Sequence, residues 1–169
     1  MTTNPDEVGA GLLVLGLVML AWVAMGWGWR RRTRSQSRLA EPRWVHGVVA
    51  GADHVECGYV GTTTAGDWLD RITAHGLGLR GPAALARDGA DLLVLRPGAG
   101  SFAIPRDDLL GVRREAGIAN RLAPRHLGVV VVTWCLGDRR LDTGFQPRDT
   151  AGREQIEQLV RRLDQEVGR

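Results

Sequence analysis

The hydrophobic pattern divides the chain into two parts. From residue 8 to residue 29 the sequence runs without a charged side chain, and a cluster of arginines follows at once. In a bilayer every backbone polar group must be satisfied inside the segment, which favours a helix. At about 1.5 Å per residue, this run would reach about 33 Å, enough for a hydrocarbon core of about 30 Å. The pattern therefore predicts a transmembrane helix over residues 8–29, preceded by a short tail over residues 1–7.

The flanking charges predict how this helix is oriented. The flank after the apolar run is basic, through Arg30, Arg31, Arg32 and Arg34. Because cytoplasmic flanks are enriched in basic residues, we expect a plasma-membrane protein with its N-terminus outside and the following domain in the cytoplasm. The same arginines are candidates for contacts with anionic lipid headgroups. A cleaved secretory signal is the alternative, but such a signal has a basic start and a shorter apolar stretch.

Beyond a polar linker over residues 30–43, the pattern changes to short apolar runs broken by glycine, which is typical of strands. Asp88-Gly89 separates two such runs and predicts a hairpin. The valine-rich run over residues 127–136 predicts a strand that is buried on both faces. Residues 44–169 have the length of one domain.

The end of the chain has helical rather than strand periodicity. The apolar residues of this segment recur at helical spacing, as Ile156, Leu159, Val160, Leu163 and Val167. Asp149 or Thr150 is expected to cap the helix. With about seven short strands and no long helix between them, the pattern predicts a mainly antiparallel β barrel, closed by this C-terminal amphipathic helix.

Charge and motifs exclude several function classes. All 22 basic residues are arginine, and from residue 41 onward 17 arginines balance 17 acids, so the domain lacks the net basic charge of a nucleic-acid module. The G-x-G-x-x-G match over residues 76–81 precedes Pro82 rather than a helix, so it predicts a glycine turn instead of a nucleotide site. Ser101 lacks the context of a catalytic nucleophile.

A metal site is also not expected. His46, His54, Cys57 and Cys135 do not have the spacing of zinc ligands. We therefore assign no catalytic, cofactor-binding or metal-binding residue, and we expect a protein that is not an enzyme.

One polar segment combines residue types that often recognise partners. Asp67, Trp68, Asp70 and Arg71 lie within five residues. One interpretation is structural, with Asp67 capping a helical turn and Trp68 in the core. The other interpretation is a surface that binds a partner chain, since Trp and Arg are frequent anchors in interfaces.

Several segments and the layout of the chain point to a family. The segments cover residues 58–63, 66–72, 75–78, 102–105 and 141–145. Together with the layout, they resemble small actinobacterial single-pass membrane proteins with a bacterial pleckstrin-homology-like (PH-like) domain. The resemblance implies a PH-like barrel and a non-catalytic, membrane-tethered interaction or scaffold module, which would serve as an accessory subunit of an export or transport complex. An unidentified protein partner would bind an apolar groove beside the C-terminal helix. The alternatives are a module that binds anionic lipid and, more remotely, an uncharacterised enzyme.

Overall fold

The computed structural model describes residues 15–26, 39–46, 54–124 and 126–165. The chain divides into two compact units, residues 1–38 and residues 39–169. In the first unit the structure describes helix α1 over residues 15–26.

The predicted transmembrane helix over residues 8–29 is wrong. No helix in the described ranges is both long enough and apolar enough to cross a membrane. At about 1.5 Å per residue, α1 covers about 18 Å over its described length, against the roughly 30 Å of a hydrocarbon core. The expected plasma-membrane location, with the N-terminus outside and the domain in the cytoplasm, depended on that helix and is not supported.

The second unit consists of short strands followed by one helix. The strands are β1 (Arg43–Val45), β2 (His54–Thr64), β3 (Asp67–Arg71), β4 (Gly81–Asp88), β5 (Asp91–Leu95), β6 (Ser101–Ile104), β7 (Leu109–Glu115), β8 (Gly117–Ile118), β9 (Arg121–Leu122), β10 (Val129–Leu136) and β11 (Arg139–Pro147), and the helix is α2 (Thr150–Gln165). Two 3₁₀ turns, Ala74–Gly76 and Arg106–Asp108, lie in the connections.

The strands form an antiparallel sheet that stays open. Its order is β1-β6-β5-β4-β2-β11-β10-β7, with β3 paired to β2, and β8 and β9 form a separate two-stranded sheet. The prediction of a closed barrel of about seven strands is therefore wrong, because nine strands pair in one open sheet within the described residues. The end strand β1 has only three residues and pairs with β6, so it offers few backbone groups for closure.

The predicted local elements of this sheet are confirmed. Strands β4 and β5 pair on either side of the Asp88-Gly89 turn, where Asp88 lies opposite Asp91 and Gly89 has a φ of +57°. Glycine adopts this left-handed conformation without a Cβ clash. The valine-rich run forms β10, which is paired by β11 on one side and β7 on the other.

Helix α2 lies against the sheet through its apolar stripe. Ile156, Val160 and Leu163 are fully buried in the main core. Of the two predicted caps, Asp149 is the one observed, because its carboxylate accepts the backbone N–H of Gly152 at 2.7 Å. The amphipathic periodicity therefore predicted the helix and its three buried residues correctly. Leu159 is partly buried against the same core, and Val167 lies outside the described residues.

The main core contains a continuous chain of side-chain hydrogen bonds. The Tyr59 hydroxyl lies 2.6 Å from the Thr62 hydroxyl, which lies 2.8 Å from that of Thr143. The indole N–H of Trp134 donates to the Thr143 hydroxyl at 2.8 Å. All four residues are buried, so the chain satisfies polar groups that water cannot reach.

A buried arginine packs against the same core near the turn over residues 74–76. Arg96 is only 4 % exposed, and its guanidinium lies 4.5 Å from the centre of the Tyr59 ring. It donates hydrogen bonds to the backbone carbonyls of Gly76, Ala99 and Gly100. Carbonyl dipoles and an aromatic face therefore take the place of a carboxylate partner.

Candidate functional site

Two of the segments that carry the family resemblance lie side by side on the sheet. Gly61 of β2 is paired with Gly144 of β11, and Thr63 is paired with Asp142. Phe145 is paired with Tyr59, so the pairing skips one residue of β2 and a β-bulge results. The two glycines leave a shallow area on the face of the sheet opposite the main core.

The small hairpin β8–β9 occupies this area. A Cβ atom at Gly144 would overlap Cγ2 of Ile118, and a Cβ atom at Gly61 would lie 3.4 Å from Cβ of Ala119. Ile118 and Ala119 join a second buried cluster with Val129 and Val131. The absence of side chains at two positions therefore lets the hairpin lie directly on the sheet.

Beside this hairpin lies a cavity of about 380 Å³, which we call the hairpin groove. This volume falls within the range of about 300–1,000 Å³ that is typical of ligand sites. The groove is bounded by β3 and its turn, by the segment from β7 to β9, and by the sheet. Its lining residues are Thr63, Gly66, Trp68, Arg113, Glu115, Ala116, Gly117, Ile118, Leu122, Val131 and Asp142.

Two large apolar side chains of the groove are exposed to solvent. Trp68 is 48 % exposed and Leu122 is 76 % exposed. They belong to different hairpins but line the same cavity. Exposed aromatic and aliphatic groups around a recess are characteristic of interaction sites.

An ion pair stabilises the floor of the groove. Two guanidinium nitrogens of Arg113 donate to the two carboxylate oxygens of Asp142, at 3.1 and 2.7 Å. The Asp142 carboxylate also accepts the Thr133 hydroxyl at 2.7 Å and the Gly66 N–H at 3.0 Å. The third nitrogen of Arg113, Nε, donates to Glu115 at 2.9 Å. The floor is therefore rigid, since bidentate pairing fixes both position and orientation.

The same contacts decide the protonation of the pair. Burial by itself would raise the pKa of Asp142, but hydrogen bonds from Arg113, Thr133 and Gly66 outweigh it and leave the pKa below its usual value. The bond to Asp142 in turn raises the pKa of Arg113. Both groups are therefore charged across the physiological range, as a structural pair rather than as an acid and a base.

The floor also contains a hydroxyl group that lacks a partner. Thr63 is fully buried, lines the groove and has no hydrogen-bond partner for its Oγ1 atom among the described residues. A buried hydroxyl without a partner destabilises a fold by about 1–3 kcal/mol. Such groups in a native fold call for an explanation, and a bound group at the site is one.

The four residues of the predicted partner surface all lie on β3 but make different contacts. Trp68 lines the groove, whereas the Asp67 carboxylate accepts backbone N–H groups of Leu69 and Asp70 within β3. Asp70 accepts the Thr64 hydroxyl, and Arg71 donates to the carbonyl oxygen of Val60. The expected helical turn is a strand, and Trp68 lies outside the core.

Most of the groove residues were not predicted from the sequence. Arg113, Glu115 and Leu122 lie in stretches whose pattern indicates only an exposed strand and a turn. Asp142 belongs to one of the segments that carry the resemblance, residues 141–145. A signal was available, because Asp142 is the single charged residue in the stretch over residues 141–145. An acid that points away from the core in such a strand needs a cation nearby.

The other candidate metal-binding and nucleophilic side chains are not brought together in one site among the described residues. Within the described part of the chain, no group of three or more His, Cys, Asp or Glu side chains is arranged to hold a metal ion. Cys57 and Cys135 are free thiols, and burial raises the pKa of Cys57 to about 12, although Arg148 lowers it in part. Ser101 accepts the backbone N–H of Arg96.

The glycine motif over residues 76–81 forms a turn, as predicted. Gly76 has a φ of +68°. Any Cβ at Gly78 would lie 2.8 Å from the carbonyl oxygen of Ile72.

The remaining predicted positions differ in outcome. Arg30, Arg31, Arg32 and Arg34 lie outside the described residues. A cavity of about 420 Å³ lies beside α2, and its lining combines polar and apolar surface, from His54, Val55, Arg87, Gln155, Gln158, Leu159 and Arg162. The prediction that a partner binds beside the helix therefore stays a prediction.

The open antiparallel sheet, covered by one C-terminal helix, defines a domain of the PH-like class. Residues 40–161 match the bacterial PH domain-like family, and the chain belongs to that family. A comparison with curated proteins gives no match. Family membership indicates a non-catalytic interaction module.

Proposed function

We propose that this domain binds a segment of a partner protein in the hairpin groove and acts without catalysis. The observation that carries the proposal is that Trp68 and Leu122, both exposed, line one cavity with a rigid floor. Trp is among the residues that contribute most to binding energy at interfaces. A recess that is already formed limits the loss of conformational entropy on binding.

The groove chemistry favours a protein segment over an anionic lipid headgroup. Among the described side chains, the charged residues of its lining are Arg113, Glu115 and Asp142. Arg113 is already bonded to both acids, so it offers little to a phosphate. Lipid binding through this groove would also place two carboxylates beside the headgroup. The apolar lining is instead suited to aliphatic and aromatic side chains.

The role of an accessory subunit in an export or transport complex belongs to the same proposal. It derives from the sequence resemblance, and it predicts that the partner is part of a larger assembly. The groove itself requires only that the partner present a short accessible segment.

Site-directed photo-crosslinking in cells tests the proposal. A photoreactive amino acid replaces Trp68 in one variant and Leu122 in another, and Leu79 serves as the control position. Leu79 is 59 % exposed but does not line the groove. We expect positions 68 and 122 to capture the same polypeptide and position 79 not to capture it.

A blocking variant separates groove binding from chance contact. Leu122→Arg, combined with the photoreactive residue at position 68, should strongly reduce the specific product. The proposal fails if position 79 gives the same products as positions 68 and 122. It also fails if Leu122→Arg leaves the yield unchanged.

A further inference from the structure

We infer that the groove selects a partner segment that carries a lysine or arginine side chain flanked by apolar residues. This inference rests on the proposed function and specifies the chemistry of the segment. Four observations support it: the charge of the lining, the acceptor capacity of Glu115, the Thr63 hydroxyl and the exposed face of Trp68.

Over the side chains that the structure describes, the lining has a net negative charge. Arg113 contributes one positive charge against Glu115 and Asp142, so one negative charge remains. The guanidinium of Arg113 is directed at those two carboxylates and at the Thr133 hydroxyl. An arriving cation therefore meets excess acid, whereas an arriving anion meets a cation whose nitrogens are already engaged.

Glu115 is the acid that is available to a ligand. Each Asp142 oxygen already accepts two hydrogen bonds, from Arg113 and from either Thr133 or Gly66. In Glu115, Oε1 accepts from Arg113, and the second carboxylate oxygen retains its capacity to accept. Its side chain is 45 % exposed, so a ligand can reach it.

Thr63 adds a second polar anchor at the floor. Its buried hydroxyl has no partner among the described residues, although it lines the groove. An ammonium or guanidinium group carries several donors, so a cation that enters the floor of the groove offers this hydroxyl a partner. A neutral apolar side chain would leave the hydroxyl unsatisfied.

The apolar part of the lining suits the stem of such a side chain. Lysine and arginine bury their methylene groups against apolar surface while the charged head stays at a polar site. Ile118, Leu122 and Val131 supply apolar surface, and the exposed indole of Trp68 offers an aromatic face to the cation. Asp67 and Asp70 lie beside Trp68 on β3, against Arg71 on the same strand, which adds to the negative field.

Peptide titration of the full ¹⁵N-labelled chain by NMR tests this inference. The probes are three capped tripeptides with leucine at both ends and lysine, glutamine or glutamate in the middle. We expect the lysine peptide to shift the Gly66 amide and the Trp68 indole signals. It should bind about two- to fivefold more tightly than the glutamine peptide, which is the factor that a partly exposed ion pair supplies. The advantage should shrink as salt is added.

A matched pair of variants assigns the selectivity to Glu115. Glu115→Gln should abolish the preference for lysine over glutamine. Glu157→Gln, which removes an acid paired with Arg161 on α2, should leave the preference intact. If Glu115→Gln does not fold, Trp68→Ala provides the second measurement and should weaken binding of the lysine peptide at least threefold, by removing the aromatic face.

Each outcome separates this inference from the proposed function. Equal affinity for the three peptides, a preference for glutamate, or no shift at the groove would overturn the selection of a cation. Those results would leave the crosslinking at positions 68 and 122 to decide the proposed function. Conversely, failure of the crosslinking would refute the groove as a partner site whatever the peptides do.

Discussion

Thr62 and Thr63 are adjacent on β2, and the surroundings of their hydroxyl groups are opposite. The Thr62 hydroxyl bonds to Tyr59 and Thr143 inside the main core. The Thr63 hydroxyl, on the other face, lines the hairpin groove and has no partner among the described residues. Both threonines are fully buried, so burial alone does not explain the difference.

The two faces of the sheet therefore use polar residues differently. The core face holds a chain of neutral hydrogen bonds in which each group is satisfied, which favours one unique arrangement of the aromatic side chains. The groove face combines a charged pair, an unsatisfied hydroxyl and exposed apolar groups. Polar groups that a fold satisfies specify its structure, whereas an unsatisfied hydroxyl in the lining of a cavity keeps its hydrogen-bonding capacity for a bound group.

The largest expected effect comes from the charged pair. Asp142→Asn should lower the free energy of unfolding by about 3 kcal/mol, because the buried carboxylate accepts four hydrogen bonds that a neutral amide with one oxygen cannot replace. Urea denaturation measures the change. Asp138→Asn in the exposed β10–β11 turn is the control and should stay within about 0.5 kcal/mol of the wild type. A loss for Asp142→Asn no larger than the control's would show that the pair contributes little to the floor.

The pH dependence of the same variant sharpens this result. The pKa of Asp142 is lowered below 3.8 in the folded state, so the unfolded chain binds more protons at acidic pH. The stability from this group is therefore present above pH 3.8 and is lost as the pH falls through the folded-state pKa. We expect the difference in unfolding free energy between wild type and Asp142→Asn to shrink below pH 3.8. A constant difference at every pH would contradict the assignment.

On the core face, Thr143→Val should cost about 2 kcal/mol. It removes the acceptor of the Trp134 indole N–H and leaves that buried donor unsatisfied. Thermal or urea unfolding measures the loss, and the near-identical size of valine makes cavity formation a minor contribution. An unchanged stability would mean that the hydrogen-bond chain does not stabilise the core.

Thr63→Val is the matching change on the groove face, and it should raise the free energy of unfolding rather than lower it. Thr63→Val replaces a hydroxyl that lacks a partner with a methyl group, and it should raise the unfolding free energy by up to about 1 kcal/mol. The measurement is the same as for Thr143→Val, so the two variants form a direct comparison across the sheet. A loss as large as that of Thr143→Val would indicate a bonded Thr63 hydroxyl and remove one support for the groove as a ligand site.

The sequence predicted those parts of the fold that are encoded locally. The Asp88-Gly89 turn, the valine-rich strand and the helical spacing of Ile156 and Val160 each lie within one segment. Their periods reflect which face is buried. The predicted transmembrane helix also followed from a local pattern and is wrong, since no helix among the described residues is both long enough and apolar enough to cross a membrane.

The open sheet and the groove were not predictable in the same way. Arg113 and Asp142 are separated by 29 residues, and Trp68 lies far from Leu122 in sequence. Their meeting depends on the register of β2, β11, β10 and β7, which no single segment encodes. Trp68 shows the limit most clearly, since one residue type suits both a core and a binding surface.

The close contact between Gly144 and Ile118 means that a residue outside the lining determines the shape of the groove. The β8–β9 hairpin, which forms one wall, can lie this close to β11 because Gly144 has a hydrogen atom where other residues have Cβ. Adding a single methyl group to β11 at that position would displace the β8–β9 hairpin while leaving every lining residue chemically unaltered. The shape of the recess is thus encoded at a residue that no ligand would need to touch.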